Sequence, residues 1–228
     1  TADFRDQFYG LDGFLIETSA IDPDELNEEV WPRIVTTGLI DLAELKWGST
    51  TTRILKTKWE APRVDRKGME ERGELGYWLT NRLVPKVLMA TQTRIVEVIA
   101  DPAGELIPSL PLITIMPRQA DDLWRVAAAV ASPVTSLWAL RMFAGAALHA
   151  DAIKLSAKQT AHIPLPVEEK AWNESAELFQ KAQSAETTET RVSSLKSYAA
   201  RIVQAYGLDT DSQREILDWW LARAFTEA

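Results

Sequence analysis

The spacing of apolar residues changes period at Asp121, and that change constrains the fold more than any other feature of the chain. Beyond it, Leu123, Trp124, Ala127, Ala128 and Ala131 fall on one face of a helix, and Pro133 opens another that runs to about Phe143 and closes at Gly145. Ser156-Ala157-Lys158-Gln159 reads as a capping box for a short turn before Ile163-Pro164-Leu165-Pro166. Helices are then expected over 168–184, 191–206 and 211–225, with Gly207 capping the second and Trp219 and Trp220 pointing inward.

Before Asp121 the apolar runs are short and broken by turn residues. Ile34-Val35 precedes Thr36-Thr37-Gly38, and Leu39–Leu42 follows; a second turn at Trp47-Gly48 leads into residues 50–59, a β-branched, basic stretch that reads as one strand. Residues 65–83 hold three glycines amid charges and read as a loop with a frayed helix around 74–83. Val87–Ala90 and Arg94–Ala100 read as β, Asp101-Pro102-Ala103-Gly104 as a hairpin turn, and Leu112–Ile115 as the return strand. The first 31 residues read as helical, from a cap at Asp3 carrying Phe4, Phe8 and Leu11 to an acidic start at Asp22. Strands followed by helices make an α+β protein. The expectation is a mixed, twisted sheet with packed helices over residues 1–166, and a C-terminal three-helix bundle packed on it over 167–228.

The chain contains no cysteine, which excludes disulfide frameworks, zinc knuckles and thiolate catalysis and fits a cytoplasmic protein. No apolar stretch is long enough to span a bilayer, and no basic, apolar signal segment opens the chain. It starts at Thr1 without methionine, as a piece of something longer would. His149 and His162 are not at metal-ligand spacing and are expected at the surface. Glu97 and Asp101 are spaced as a carboxylate pair could be, but Asp101 precedes proline in a turn, where aspartate bonds its own backbone.

The net charge of −8 argues against a polyanionic partner until its distribution is considered. Residues 1–43 carry 2 basic and 10 acidic side chains, residues 44–100 carry 11 and 7, residues 101–160 carry 5 and 5, and residues 161–228 carry 7 and 11. The basic segment holds Lys46, Arg53, Lys56, Lys58, Arg63, Arg66 and Lys67, a density suited to phosphates, with Trp47 and Trp59 available for base stacking. Lys86 and Thr91-Gln92-Thr93-Arg94 lie between two apolar runs; glutamine suits the adenine edge and arginine the guanine edge. A solvated β-rich surface is the competing reading of the same charges.

Residues 36–64 (TTGLIDLAELKWGSTTTRILKTKWEAPRV), 82–115 (RLVPKVLMATQTRIVEVIADPAGELIPSLPLITI), 122–148 (DLWRVAAAVASPVTSLWALRMFAGAAL) and 153–166 (IKLSAKQTAHIPLP) occur in an order that resembles the target-recognition region of type I and type IIG adenine-specific DNA methyltransferases. The resemblance covers nearly the whole chain and extends to C-terminal halves of actinobacterial methyltransferase-like proteins. It implies a non-catalytic module that positions duplex DNA for an upstream methyltransferase domain, which would bind S-adenosylmethionine. Folded RNA, or a protein held by the basic face, is the alternative partner. It carries DNA contacts onto Thr37, Lys46, Trp47, Arg53, Lys56, Lys86, Gln92, Thr93 and Arg94, and a structural role onto Lys154, Ser156 and Lys158. The chemistry itself is missing: there is no Pro-Pro dipeptide for a catalytic loop, and Phe-Ala-Gly-Ala-Ala at 143–147 is the nearest approach to a cofactor-binding glycine turn.

Overall fold

The computed structural model describes residues 9–72, 75–145, 147, 149 and 152–225, and its short strands and longer helices make an α+β protein. In chain order the strands are β1 (Leu15–Glu17), β2 (Arg33–Val35), β3 (Ile40–Asp41), β4 (Glu44–Leu45), β5 (Thr52–Ile54), β6 (Thr57–Trp59) and β7 (Pro62–Val64), then β8 (Lys86–Met89), β9 (Val98–Asp101), β10 (Leu106–Pro108) and β11 (Ile113–Ile115). Helices α1 (Arg66–Arg72) and α2 (Gly76–Arg82) separate β7 from β8. After β11 come α3 (Leu123–Val130), α4 (Pro133–Met142), α5 (Ala157–Thr160), α6 (Glu169–Gln183), α7 (Thr188–Gln204) and α8 (Thr210–Ala224).

Two small sheets share an apolar seam. One is mixed, in the order β1-β7-β2-β10, with β2 and β10 parallel; the other is antiparallel, in the order β11-β8-β9. Successive side chains alternate between faces, so Val35 and Leu106 from the first sheet meet Leu88, Ala90 and Ile99 from the second. The opposite face of the mixed sheet sends Ile34, Val64 and Ile107 against Leu11, Met69 of α1 and Leu79 of α2. The opposite face of the antiparallel sheet sends Val87, Met89, Val98, Ala100 and Ile113 against the C-terminal helices. There Phe179 and Tyr198 meet edge to face with ring centroids 5.2 Å apart, and the Tyr198 hydroxyl donates to the Ala128 carbonyl at 2.6 Å.

The helical third is fastened to the sheet by hydrogen bonds as well as by packing. Gln183, the last residue of α6, donates to the Ala100 carbonyl and accepts from the Ala100 N–H, both at 2.7 Å. Its carboxamide thus occupies the outer edge of β9 as a neighbouring strand would.

The helical region matches its sequence signals. Ser132 caps α4 with Pro133 in the first turn, Ser156 and Gln159 form the capping box of α5, and Gly207 has φ +67° between α7 and α8. Trp220 is fully buried and Trp219 half-buried. Residues 143–145 are not inside a helix: α4 ends at Met142, and Gly145 has φ +83°. Among the described residues no single helix is long and apolar enough to cross a membrane.

The β region departs from the expectations in four places. Residues 11–31 are not helical; they hold β1, a short 3-10 turn at Thr18–Ala20 and isolated turns, because the Glu17 carboxylate accepts the N–H groups of Glu60 and Ala61 and draws the segment along β7. Asp22 closes only an Asx turn, accepting from the Asp24 N–H. The Asp3 cap and the Phe4 and Phe8 positions lie outside the described residues. The strand expected over 50–59 is a hairpin, β5–β6, reversed at Leu55 and Lys56 with φ of 50° and 70°. Residues 65–83 form two helices rather than a loop with one. Finally, the turn after Asp101 does not make a hairpin with β9. It sends β10 into the other sheet beside β2, and β11 returns against β8. Asp101 enforces the redirection by accepting the N–H groups of Gly104, Glu105 and Leu106.

Candidate nucleic-acid interface

The β5–β6 hairpin presents three exposed cations. Arg53 and Lys58 are direct cross-strand partners, and Lys56 sits at the turn. None of the three makes an ion pair or a side-chain hydrogen bond among the described residues. Like charges facing each other across a ladder repel, so this pairing lowers hairpin stability unless an anion lies over it. The hairpin is anchored from beneath: Ile54 is fully buried, the Trp59 indole N–H donates to the Ile54 carbonyl at 3.3 Å, and the Thr52 hydroxyl bonds that of Thr36 at 2.6 Å. Beside it lies an open cleft of about 470 Å³ lined by Tyr9, Asp12, Arg53, Leu55 and Lys56.

The rest of the basic segment is committed elsewhere. Arg63 is buried, donating to the Trp31 carbonyl at 2.6 Å, the Thr18 hydroxyl at 3.0 Å and Glu28 at 3.1 Å. Trp47 donates its indole N–H to the Pro62 carbonyl at 3.0 Å, and the Arg63 and Arg33 guanidiniums lie against its ring at 4.9 and 5.8 Å. That ring is occupied by protein cations and is not a free platform for a base. Trp59 is held against the core under the hairpin. Lys46 pairs with Asp41 at 2.5 Å, Arg66 with Glu70 at 2.8 Å and exposed Lys67 with Glu71 at 4.0 Å. Thr37 lies in a 3-10 turn with its hydroxyl oxygen buried and no hydrogen-bond partner.

Lys86 is the clearest correction. Its side chain is completely buried in an ion pair with Asp101, so it cannot reach a phosphate in this fold. Burial lowers its pKa from the usual lysine value more than the neighbouring Asp101 carboxylate raises it.

The segment joining β8 to β9 keeps part of its expected character. Gln92 is exposed in the left-handed region, φ +65°, its N–H donating to the Ile153 carbonyl at 2.8 Å. The Thr93 hydroxyl is turned inward onto the Ile95 carbonyl, and Thr93 pairs with Ile153 as an isolated bridge. Arg94 is exposed, and its side chain has no hydrogen-bond or ion-pair partner among the described residues.

A second cleft, of about 410 Å³, lies where this segment meets the β3–β4 hairpin and helices α7 and α8. It brings together Asp41, Glu44, Arg94, Glu97, Arg191 and Arg223. Burial and the Asp41 carboxylate, partly offset by Lys46, raise the Glu97 pKa to about 8. Glu97 carries no local signal that could have assembled this group, because its members come from separate stretches of the chain, at 41–44, at 94–97, at 191 and at 223. Among the described residues no cluster of histidine and carboxylates could hold a metal ion. In comparisons with known proteins, no family model matches the chain, and no curated protein matches it.

Proposed function

We propose that this chain is the target-recognition region of an adenine-specific DNA methyltransferase, holding duplex DNA while a separate upstream domain, carrying S-adenosylmethionine, performs the methylation. The reading rests on the resemblance carried by the order of the sequence segments 36–64, 82–115, 122–148 and 153–166. The physical support is the cross-strand couple Arg53–Lys58 with Lys56 at the turn, three cations held forward on a buried anchor with no ion-pair partner among the described residues. A phosphate backbone is a partner that relieves such repulsion, and Gln92 and Arg94 add an exposed amide and guanidinium suited to base edges. No catalytic residue is assigned to this chain. Such an enzyme works on cytoplasmic DNA.

The test is duplex affinity as a function of salt. Each phosphate neutralised contributes about 0.9 to the slope of log K against log salt. Replacing Arg53, Lys56 and Lys58 with glutamine is expected to weaken duplex binding and flatten that slope by roughly 2 to 3. An unchanged slope removes the hairpin from the interface. Tighter binding to folded RNA than to duplex DNA transfers the reading to an RNA-modifying relative.

A further inference from the structure

The segment that joins β8 to β9 meets Ile153 in an irregular pair. The Gln92 N–H donates to the Ile153 carbonyl at 2.8 Å, and the Ile153 N–H donates to the Thr93 carbonyl at 2.7 Å, so two residues on one side oppose a single residue on the other. That is the hydrogen-bond pattern of a β-bulge whose first residue lies in the left-handed region, a position glycine ordinarily fills. Here Gln92 fills it, at φ +65°, with its side chain exposed and making no hydrogen bond among the described residues. Glutamine is less stable than glycine in this conformation, and its carboxamide forms no bond within the fold that offsets the difference. The bulge itself is firmly seated, with Thr91, Ile95 and Ile153 buried. Across it, Lys154 stands exposed between buried Ile153 and Leu155, and it too makes no hydrogen bond or ion pair among the described residues.

We propose that this bulge is the base-reading element of the interface, in which Gln92 contacts an adenine edge and Lys154 contacts the phosphate that fixes its approach. The inference rests on the duplex-recognition reading and deepens it, because the hairpin cations Arg53, Lys56 and Lys58 supply attraction without telling one sequence from another. A glutamine carboxamide carries a donor and an acceptor in one plane, matching N6 and N7 of adenine in the major groove. Bulges re-aim side chains. The left-handed backbone at residue 92 leaves the carboxamide outside, while the Thr93 hydroxyl turns inward onto the Ile95 carbonyl. Paired segments lie about 5 Å apart, so the bridge sets Lys154 across from Gln92 at close range, with an ammonium on a flexible stem that can reach a phosphate. Such a contact carries no base preference; it restricts how the glutamine can sit. Lys154, expected to be structural, thereby becomes a positioning residue.

The experiment selects preferred sequences from a pool of DNA duplexes randomised at the centre, then measures the salt dependence of binding to the selected duplex. The wild type is expected to enrich a site that contains an adenine. Gln92→Gly should lose discrimination at that base pair on the order of tenfold, with its salt slope unchanged. The same variant should melt no lower than the wild type, because glycine accepts the left-handed backbone. Lys154→Gln should keep the sequence preference, melt as the wild type does and lower the slope of log K against log salt by about 0.9. Undiminished preference or a lower melting temperature in Gln92→Gly overturns the bulge as a reading element. So does an unchanged slope in Lys154→Gln, or a wild type that enriches no sequence. In each of these cases, a slope that still flattens when Arg53, Lys56 and Lys58 are replaced leaves the DNA reading standing. Failure of the wild type to bind any duplex overturns both.

Discussion

Lys86 and Asp101 face each other across the β8–β9 ladder as a buried ion pair, and the Asp101 carboxylate also accepts three backbone N–H groups from the turn that carries the chain into the second sheet. One carboxylate therefore terminates a strand, caps a turn and neutralises a buried lysine. Breaking such a pair from one side leaves an uncompensated buried charge and costs about 3–5 kcal/mol. Asp101→Asn removes the charge that Lys86 needs and weakens the turn, so it should fall in that range. Lys86→Met should cost less, because Asp101 keeps its three N–H donors. Urea unfolding of the two variants tests the order, and Lys86→Met should leave the salt dependence of nucleic-acid binding unchanged. A flattened slope in that variant would mean that Lys86 reaches the ligand after all.

The hairpin couple makes an opposite and separable prediction. Arg53→Glu converts a like-charged cross-strand pair into an attractive one, so the free protein should gain about 0.2–1 kcal/mol while duplex affinity falls. Lys58→Glu should do the same. The double variant restores a like-charged pair, now acidic, and should lose the stability gain while binding more weakly than either single variant. Thermal melts and duplex titrations on the four proteins close the cycle. Lost stability in the single variants would show that the bases are structurally engaged.

The helical third was legible in the sequence because its signals are local: Pro133 after Ser132, the Ser156–Gln159 box and Gly207 each act within one turn. The β region was less so, because pairings such as that of β10 with β2 are set by contacts distant in sequence. Leu55 and Lys56 occupy positive φ without the glycine or asparagine that marks a tight reversal, so ten residues read as one strand. Asp101-Pro102-Ala103-Gly104 announced a turn, but the strand it delivers pairs with β2, some seventy residues earlier, a choice made by tertiary packing. The basic segment was visible as composition, yet composition cannot separate Arg53, Lys56 and Lys58 from Arg63 and Lys86, whose partners Glu28 and Asp101 come from other parts of the chain.

Gln183 tests how firmly the helical third is joined to the sheet. Its carboxamide satisfies both polar groups of Ala100, which lies buried on the edge strand β9. Gln183→Ala should leave at least one of them unsatisfied, at about 1–3 kcal/mol, with water entry setting the lower bound. Gln183→Glu keeps the acceptor but has a donor for the Ala100 carbonyl only when its carboxyl is protonated, so its cost should approach that of the wild type only at low pH. Amide exchange at Ala100 is the direct readout: it should accelerate in Gln183→Ala relative to Leu88 and Ile99 in the same sheet. Unchanged protection there would mean that the contact contributes little.

Glu97 makes stability depend on pH, and the sign follows from its position. Its pKa rises from an ordinary 4.5 to about 8 on folding, because burial and Asp41 penalise the carboxylate. Between those values the folded protein keeps a proton that the unfolded chain has released, so the contribution of this group to stability falls as pH rises. It is fully present below the lower value, declines through the interval and is flat above about pH 8. Glu97→Gln retains the shape and removes the titration. The difference in melting temperature, variant minus wild type, should therefore grow across that interval and level off above it. A difference that stays constant with pH would mean that Glu97 titrates as an ordinary surface carboxylate.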